Sequence, residues 1–229
     1  MTSTASLEQA RFNMIEQQIR PWDVLDPAVL ELLSVIKRED FVPLAHKALA
    51  FMDLEIPLLG SSEEAMRQGH CMLAPKVEAR LLQDLHVQKH EKVLEIGTGS
   101  GFMAALLAHR AQRVISLEIH PGLAQTARAN LQKAGVHNVE VREGDGASNL
   151  AIDGPFDVIL LSGSVAEVPP ALLAQLKTGG RLAAIVGQEP VMRATLITRT
   201  GEAAFSTVQP WDTVAPRLVN FPEPSRFSF

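Results

Sequence analysis

Lys92-Val93-Leu94-Glu95-Ile96-Gly97-Thr98-Gly99-Ser100-Gly101, followed by Phe102-Met103-Ala104-Ala105-Leu106-Leu107-Ala108, is the stretch on which the reading of this chain turns. Val93, Leu94 and Ile96 form a short apolar run of strand type, and the Ala/Leu-rich segment after Gly101 has the composition of a packed helix. Between them lies a turn holding three glycines. Glycine removes every Cβ and permits unusual dihedrals, so backbone N–H groups and a helix N-terminus can approach a ligand closely. A dinucleotide fingerprint would need its third glycine where this chain has Phe102, which argues against that class of cofactor.

Working outward, the acidic residues narrow the ligand. Glu95 precedes the glycine turn, Glu118 ends the apolar run Val114-Ile115-Ser116-Leu117, and Asp145 stands between Gly144 and Gly146 after the strand-like Val139-Glu140-Val141. A carboxylate at the end of a second strand is placed to accept hydrogen bonds from ribose hydroxyls. Three acids at three successive strand ends suit a neutral or cationic nucleoside and not a pyrophosphate. The pattern resembles the class I S-adenosylmethionine-dependent methyltransferases. That resemblance implies Glu95 near the amino-acid end of S-adenosyl-L-methionine, Glu118 on the ribose and Asp145 near the adenine. It completes the cofactor set with Gly97, Thr98, Gly99, Gly101, Ile119 and Gly146.

Downstream, Leu123, Ala127, Leu131 and Ala134 lie at helical spacing between Pro121 and Gly135, and Phe156–Leu161 reads as a buried central strand. Pro169 and Pro170 are expected to open a helix carrying Leu172, Leu173 and Leu176, before Gly179-Gly180 turns into the strand-like Arg181–Val186. Residues 191–198 and 204–208 are expected to close the sheet as an antiparallel pair, the tail Pro216–Pro222 to form an edge strand, and the last residues to be loose. Strands alternating with helices predict an α/β fold, a doubly wound, mostly parallel Rossmann-like methyltransferase sheet with ligands beyond the carboxyl ends of its strands. Ahead of it, residues 7–20 are expected to form an amphipathic helix ending before Pro21, and Asp26-Pro27 to start a second helix with the stripe Val29, Leu30, Leu33 and Ile36. We divide the chain at residue 75, with 1–75 a helical extension and substrate loop and 76–229 the cofactor domain.

A more particular resemblance runs through most of the chain. Met14-Ile15-Glu16-Gln17-Gln18-Ile19-Arg20, Arg38-Glu39-Asp40-Phe41-Val42-Pro43 and Ala50-Phe51-Met52-Asp53, then Val77–Leu82, Val168–Leu173 and Leu176–Leu182, are similar to segments of the protein-L-isoaspartate O-methyltransferases. The resemblance implies carboxyl O-methylation of L-isoaspartyl residues in aged proteins, a repair activity. The chain departs from the family pattern at Gly69-His70-Cys71-Met72-Leu73-Ala74-Pro75, where Cys71 and Leu73 stand at the usual threonine and serine, and the preceding loop 60–68 is longer than usual. His70 and Cys71 are therefore expected to line the acceptor pocket, with Ser162 and Ser164 supplying replacement hydroxyls. Three functions fit: the repair methyltransferase, a relative that has moved to another acceptor such as a small molecule, and a non-catalytic S-adenosylmethionine-binding module.

Composition bounds the rest. The chain has 229 residues, enough for one domain with elaborations, and a net charge of −5, which does not suggest a broad phosphate-binding surface or a nucleic-acid partner. The single Cys71 excludes an intrachain disulfide and fits a reducing compartment, while the start lacks signal-peptide features and no apolar run suits a bilayer. A cytoplasmic protein without a membrane partner is expected. The histidines show no metal-ligand spacing with one another or with Cys71, so no metal site is predicted.

Overall fold

The computed structural model describes residues 4–148 and 153–223. The chain begins with α1 (Thr4–Met14), which widens into one π-helical turn at Ile15–Ile19 and then tightens into a 3-10 turn at Arg20–Trp22. The helical path thus runs through Pro21 instead of ending before it. Proline sits in the first turn of the tight segment, where its missing N–H costs no hydrogen bond. Met14, Ile15 and Ile19 are buried, but Phe12 is exposed. α2 (Pro27–Val35) follows with Asp26 as N-cap, its side chain accepting from Ala28 N at 2.9 Å.

Two short strands, β1 (Ile56–Pro57) and β2 (Cys71–Met72), pair antiparallel and enclose α3 (Ser62–Gln68). α4 (Pro75–Leu85) then leads into the main sheet: β3 (Lys92–Ile96), α5 (Phe102–Arg110), β4 (Arg113–Glu118), α6 (Pro121–Lys133), β5 (Val139–Glu143), β6 (Phe156–Val165), α7 (Pro170–Leu173), β7 (Leu176–Gln188), β8 (Val191–Arg199) and β9 (Phe205–Asp212). The sheet order is β5-β4-β3-β6-β7-β8-β9. The first five strands of that order are parallel, while β8 runs antiparallel to β7 and β9 antiparallel to β8. The chain reverses its direction of travel across the sheet at β3, and this switch point is where parallel sheets open a ligand crevice.

Alternation along each strand divides the core. Val93, Val114, Val158 and Leu160 face α4, α5, α6 and the N-terminal helices. Leu94, Ile115, Ile159 and Leu161 face the opposite side, where Leu172 of α7 and Phe221 of the tail pack. Apolar residues of α1, α2, β1 and β2 share the first cluster with the main sheet, so the elements before residue 75 pack onto it through one core.

Two expected elements differ. α7 is a single turn, and Leu176 begins β7 in place of extending a helical stripe. The tail is not an edge strand: among the described residues its one strand-type bridge is Arg217 with Ser164, on the interior strand β6. The expectation of a loose C-terminus concerns residues 224–229, outside those described. Among the described residues no helix is long and apolar enough to cross a membrane.

Candidate active site

β3 delivers the chain to the glycine turn, where Gly97, Gly99 and Gly101 have φ of +94°, +53° and +86°. These are left-handed values that glycine adopts at little cost. The turn is locked to the neighbouring strand: Gly97 N donates to Leu117 O at 2.9 Å, and Gly99 N donates to Glu118 Oε2 at 2.9 Å. Gly101 caps α5 and packs on α6, where an added Cβ would lie 3.3 Å from Ala127.

Beneath the turn runs a buried polar chain. Thr98 Oγ1 and Ser116 Oγ are 2.6 Å apart, Ser116 Oγ donates to Glu95 Oε2 at 2.6 Å, and Ser162 Oγ donates to Glu95 Oε1 at 2.8 Å. Glu95 has no exposed surface. Burial pushes its carboxyl up to about 8, against the lowering effect of the two serine hydroxyls. The residue expected at the cofactor's amino-acid end therefore lies under the turn with its carboxyl held far above the usual carboxylate range, and it does not itself line the cleft.

Above the turn opens a small cleft with a cavity volume of about 80 Å³. Gly97, Gly99, Glu118, Ile119, Asp145 and Gly146 line it, from the ends of β3, β4 and β5. Glu118 Oε1 accepts from His120 N at 3.0 Å, which with the Gly99 bond fixes the carboxylate and leaves lone pairs toward the cleft. Asp145 Oδ1 accepts from Ala147 N at 2.8 Å. At Gly146 a Cβ would stand 2.3 Å from Ile96 Cγ2, so only glycine lets this loop close down on β3.

The opposite wall comes from the β2 loop. His70, Cys71 and Ser162 line the cleft, and Cys71, Leu73, Thr98 and Ser162 also line a smaller adjoining chamber. The His70 ring packs edge-on against His120 with centroids 5.0 Å apart. Burial and the neighbouring Glu55 carboxylate push the Cys71 thiol up to about 12. Ser164 does not join this wall. It is fully buried, its Oγ donates to Ala215 O at 2.7 Å, and Arg217 Nη1 approaches at 3.4 Å. A bulge between Leu160 and Ser164 in the pairing of β6 with β7 separates the two serines, although both sit at even positions of one strand.

Under the smaller chamber, buried Arg38 bonds Glu78 and donates from Nη2 to Leu73 O at 2.8 Å, while its guanidinium lies over the Phe102 ring. This fixes the backbone of the loop that carries Cys71 and Leu73. Burial raises the Glu78 carboxyl to about 7 despite Arg38. Among the described residues no cluster of His, Cys, Asp and Glu could hold a metal ion. Sequence reasoning missed Arg217, Leu218, Val219 and Phe221, tail residues that complete the cleft wall.

Residues 9–214 match the family model described as protein-L-isoaspartate(D-aspartate) O-methyltransferase. A protein-L-isoaspartate O-methyltransferase of Koribacter versatilis is 39% identical over 196 residues, covering 85% of this chain and 82% of that relative. Protein-L-isoaspartate O-methyltransferase 1 of Syntrophobacter fumaroxidans is 38% identical over 192 residues, covering 84% and 86%. In fold, the chain is similar to a solved putative protein-L-isoaspartate O-methyltransferase of Plasmodium falciparum in complex with S-adenosyl-L-homocysteine. The TM-score is 0.75 at 16% identity, over 92% of this chain and 97% of that one. By its sequence the chain belongs to the protein-L-isoaspartate(D-aspartate) O-methyltransferase family.

Proposed function

We propose that this protein transfers the methyl group of S-adenosyl-L-methionine to the free carboxylate of L-isoaspartyl residues in damaged proteins. One observation carries the reading: in a member of this family, a glycine turn, Glu118 and Asp145 converge on a single cleft whose other wall is His70, Cys71 and Ser162. The lining fits a nucleoside bearing positive charge. It holds two carboxylates against one guanidinium, that of Arg217, and Gly99 with Gly146 gives the close approach that bulkier residues would block.

When bound, the cofactor supplies a methyl group on a sulfonium, a leaving group that departs as a neutral thioether. In this reading Glu118 receives the ribose hydroxyls, Ile119, Asp145 and Gly146 receive the base, and Gly97, Thr98 and Gly99 receive the amino-acid end. Glu95, through Ser116 and Ser162, keeps the strand ends and the turn in register. Methyl transfer breaks one C–S bond and forms one C–O bond, and no proton moves. An acceptor carboxylate with a pKa of about 4 is already ionised at neutral pH, so no general base is needed. Positioning alone can account for about 7–11 kcal/mol of such a barrier. The raised pKa of Cys71 has a use in this setting: a thiolate in the acceptor wall would compete for the methyl group, and a neutral thiol does not. The single cysteine also fits a reducing, cytoplasmic location.

The test is methyl transfer from radiolabelled S-adenosylmethionine to an isoaspartyl peptide and to its aspartyl twin. Selective labelling of the isoaspartyl peptide is expected. Cofactor binding without labelling of either peptide would refute the protein acceptor and turn attention to small carboxylates.

A further inference from the structure

The segment after β9 runs along the carboxyl ends of the strands, from the sheet edge across the switch point. Thr213 N donates to Met192 O at 3.2 Å, Ser164 N to Pro216 O at 2.7 Å and Leu218 N to Ser164 O at 2.9 Å. The Leu218 side chain then lies over Gly97 and Gly163, where added Cβ atoms would stand 3.0 and 2.8 Å from Leu218 Cδ2. One residue of left-handed backbone, Asn220 at φ +64°, turns the chain so that its carboxamide meets Asp145, Nδ2 donating to Oδ2 at 2.9 Å. Phe221 is buried beyond it in the second apolar cluster. The other Asp145 oxygen is committed to Ala147 N, so Oδ2 is the one that Asn220 occupies. Pro216, Leu218, Asn220 and Phe221 lie beyond residue 214, where the family match ends.

We propose that Asn220 is a built-in competitor for the adenine subsite, holding through Asp145 Oδ2 the place that the base amino group takes when the cofactor binds. The inference rests on the reading of this cleft as the cofactor site. An Asn carboxamide and an adenine amino group offer the same thing to a carboxylate, an N–H donor of similar reach. The Asn220 bond is solvent-exposed, and beyond Leu218 the tail is also held by the burial of Phe221 and by an ion pair of Glu223 with Arg217 at 2.9 Å. It can therefore open without disturbing the buried Ser164 bridge. The cost of opening it is subtracted from cofactor affinity, so Asn220 sets the concentration at which the site fills.

Calorimetric titration of S-adenosylhomocysteine into the full chain, the Asn220→Ala variant, Asp145→Ala and the double variant tests this without any measurement of turnover. Asn220→Ala is expected to tighten binding by about three- to tenfold, the scale of one net hydrogen bond, and to have no effect when Asp145 is already alanine. Unchanged or weaker binding in Asn220→Ala would overturn the proposal and make the tail a supporting wall. An equal gain in both backgrounds would also overturn it, because the effect would not pass through Asp145. Absence of binding in all four proteins would refute the cofactor reading itself, a result distinct from either.

Discussion

Replacing Glu95 by glutamine should stabilise the protein progressively as pH rises. The unfolded chain releases the Glu95 proton near the ordinary value of 4.5, whereas the folded chain keeps it to about 8 because the carboxyl is buried. Between those values the folded state holds more protons than the unfolded one, so rising pH favours unfolding, and the loss levels off above 8. At about 1.36 kcal/mol per pH unit, the interval from 4.5 to about 8 amounts to roughly 5 kcal/mol, a large share of the roughly 5–15 kcal/mol that holds a domain together. Glutamine has the shape of the neutral acid, with an oxygen to accept from one serine and an NH2 to donate to the other. It carries no charge at any of these pH values. Urea unfolding of both proteins at pH 5, 6.5 and 8.5 gives the difference, in which titrating groups that do not sense Glu95 cancel because both chains have them, while Glu78 and Glu118, whose charges help raise Glu95, contribute a smaller part. The advantage of Glu95→Gln over wild type should be small or negative at pH 5 and grow toward pH 8.5 by several kcal/mol. A difference that stays flat across that range would refute the assignment of a neutral Glu95, and with it the account of the polar chain beneath the glycine turn.

Three further outcomes are expected. At pH 8 a shift of the Cys71 thiol from 9.0 to about 12 lowers its thiolate fraction by about a thousandfold, so iodoacetamide should label the folded protein far more slowly than the urea-unfolded chain, as read by mass spectrometry. Arg38→Ala leaves Glu78 buried without its partner and should cost about 3–5 kcal/mol in denaturant unfolding, while Arg38→Met combined with Glu78→Met should recover most of that loss. Gly101→Ala places a Cβ at φ +86° and 3.3 Å from Ala127; a loss of at least about 1–2 kcal/mol is expected, seen as a lower melting temperature.

How much of this was legible in the sequence depended on how local each signal is. Glu95, Gly97–Gly101, Glu118 and Asp145 each belong to one strand and the turn that follows it, and a parallel sheet carries successive strand ends to the same edge, so local motifs suffice to gather them. Their orientation was less accessible. Glu95 alternates into the sheet interior under the turn, and only the hydroxyls of Ser116 and Ser162, 21 and 67 residues away, define its surroundings. Ser162 and Ser164 stand two residues apart in sequence, but β6 continues through both with a bulge at Leu160–Ser164 that gives them different surroundings; Gly163 between them was the available warning. The loop 60–68 contained a helix that its own residues announce, since Ser61 followed by Glu64 is a capping pattern, and Ser61 Oγ does accept from Glu64 N at 3.3 Å. The tail had no such local signal. Pro216–Pro222 carries no period that separates an edge strand from a segment laid across other strands. Its path is set by contacts of Leu218 with Gly97 and of Asn220 with Asp145, 121 and 75 positions away in the chain. Beyond the backbone partners that a strand edge also supplies, the cleft offers that tail a carboxylate at Asp145 and an apolar floor for Leu218 and Phe221. That difference explains why the tail covers the site instead of extending the sheet.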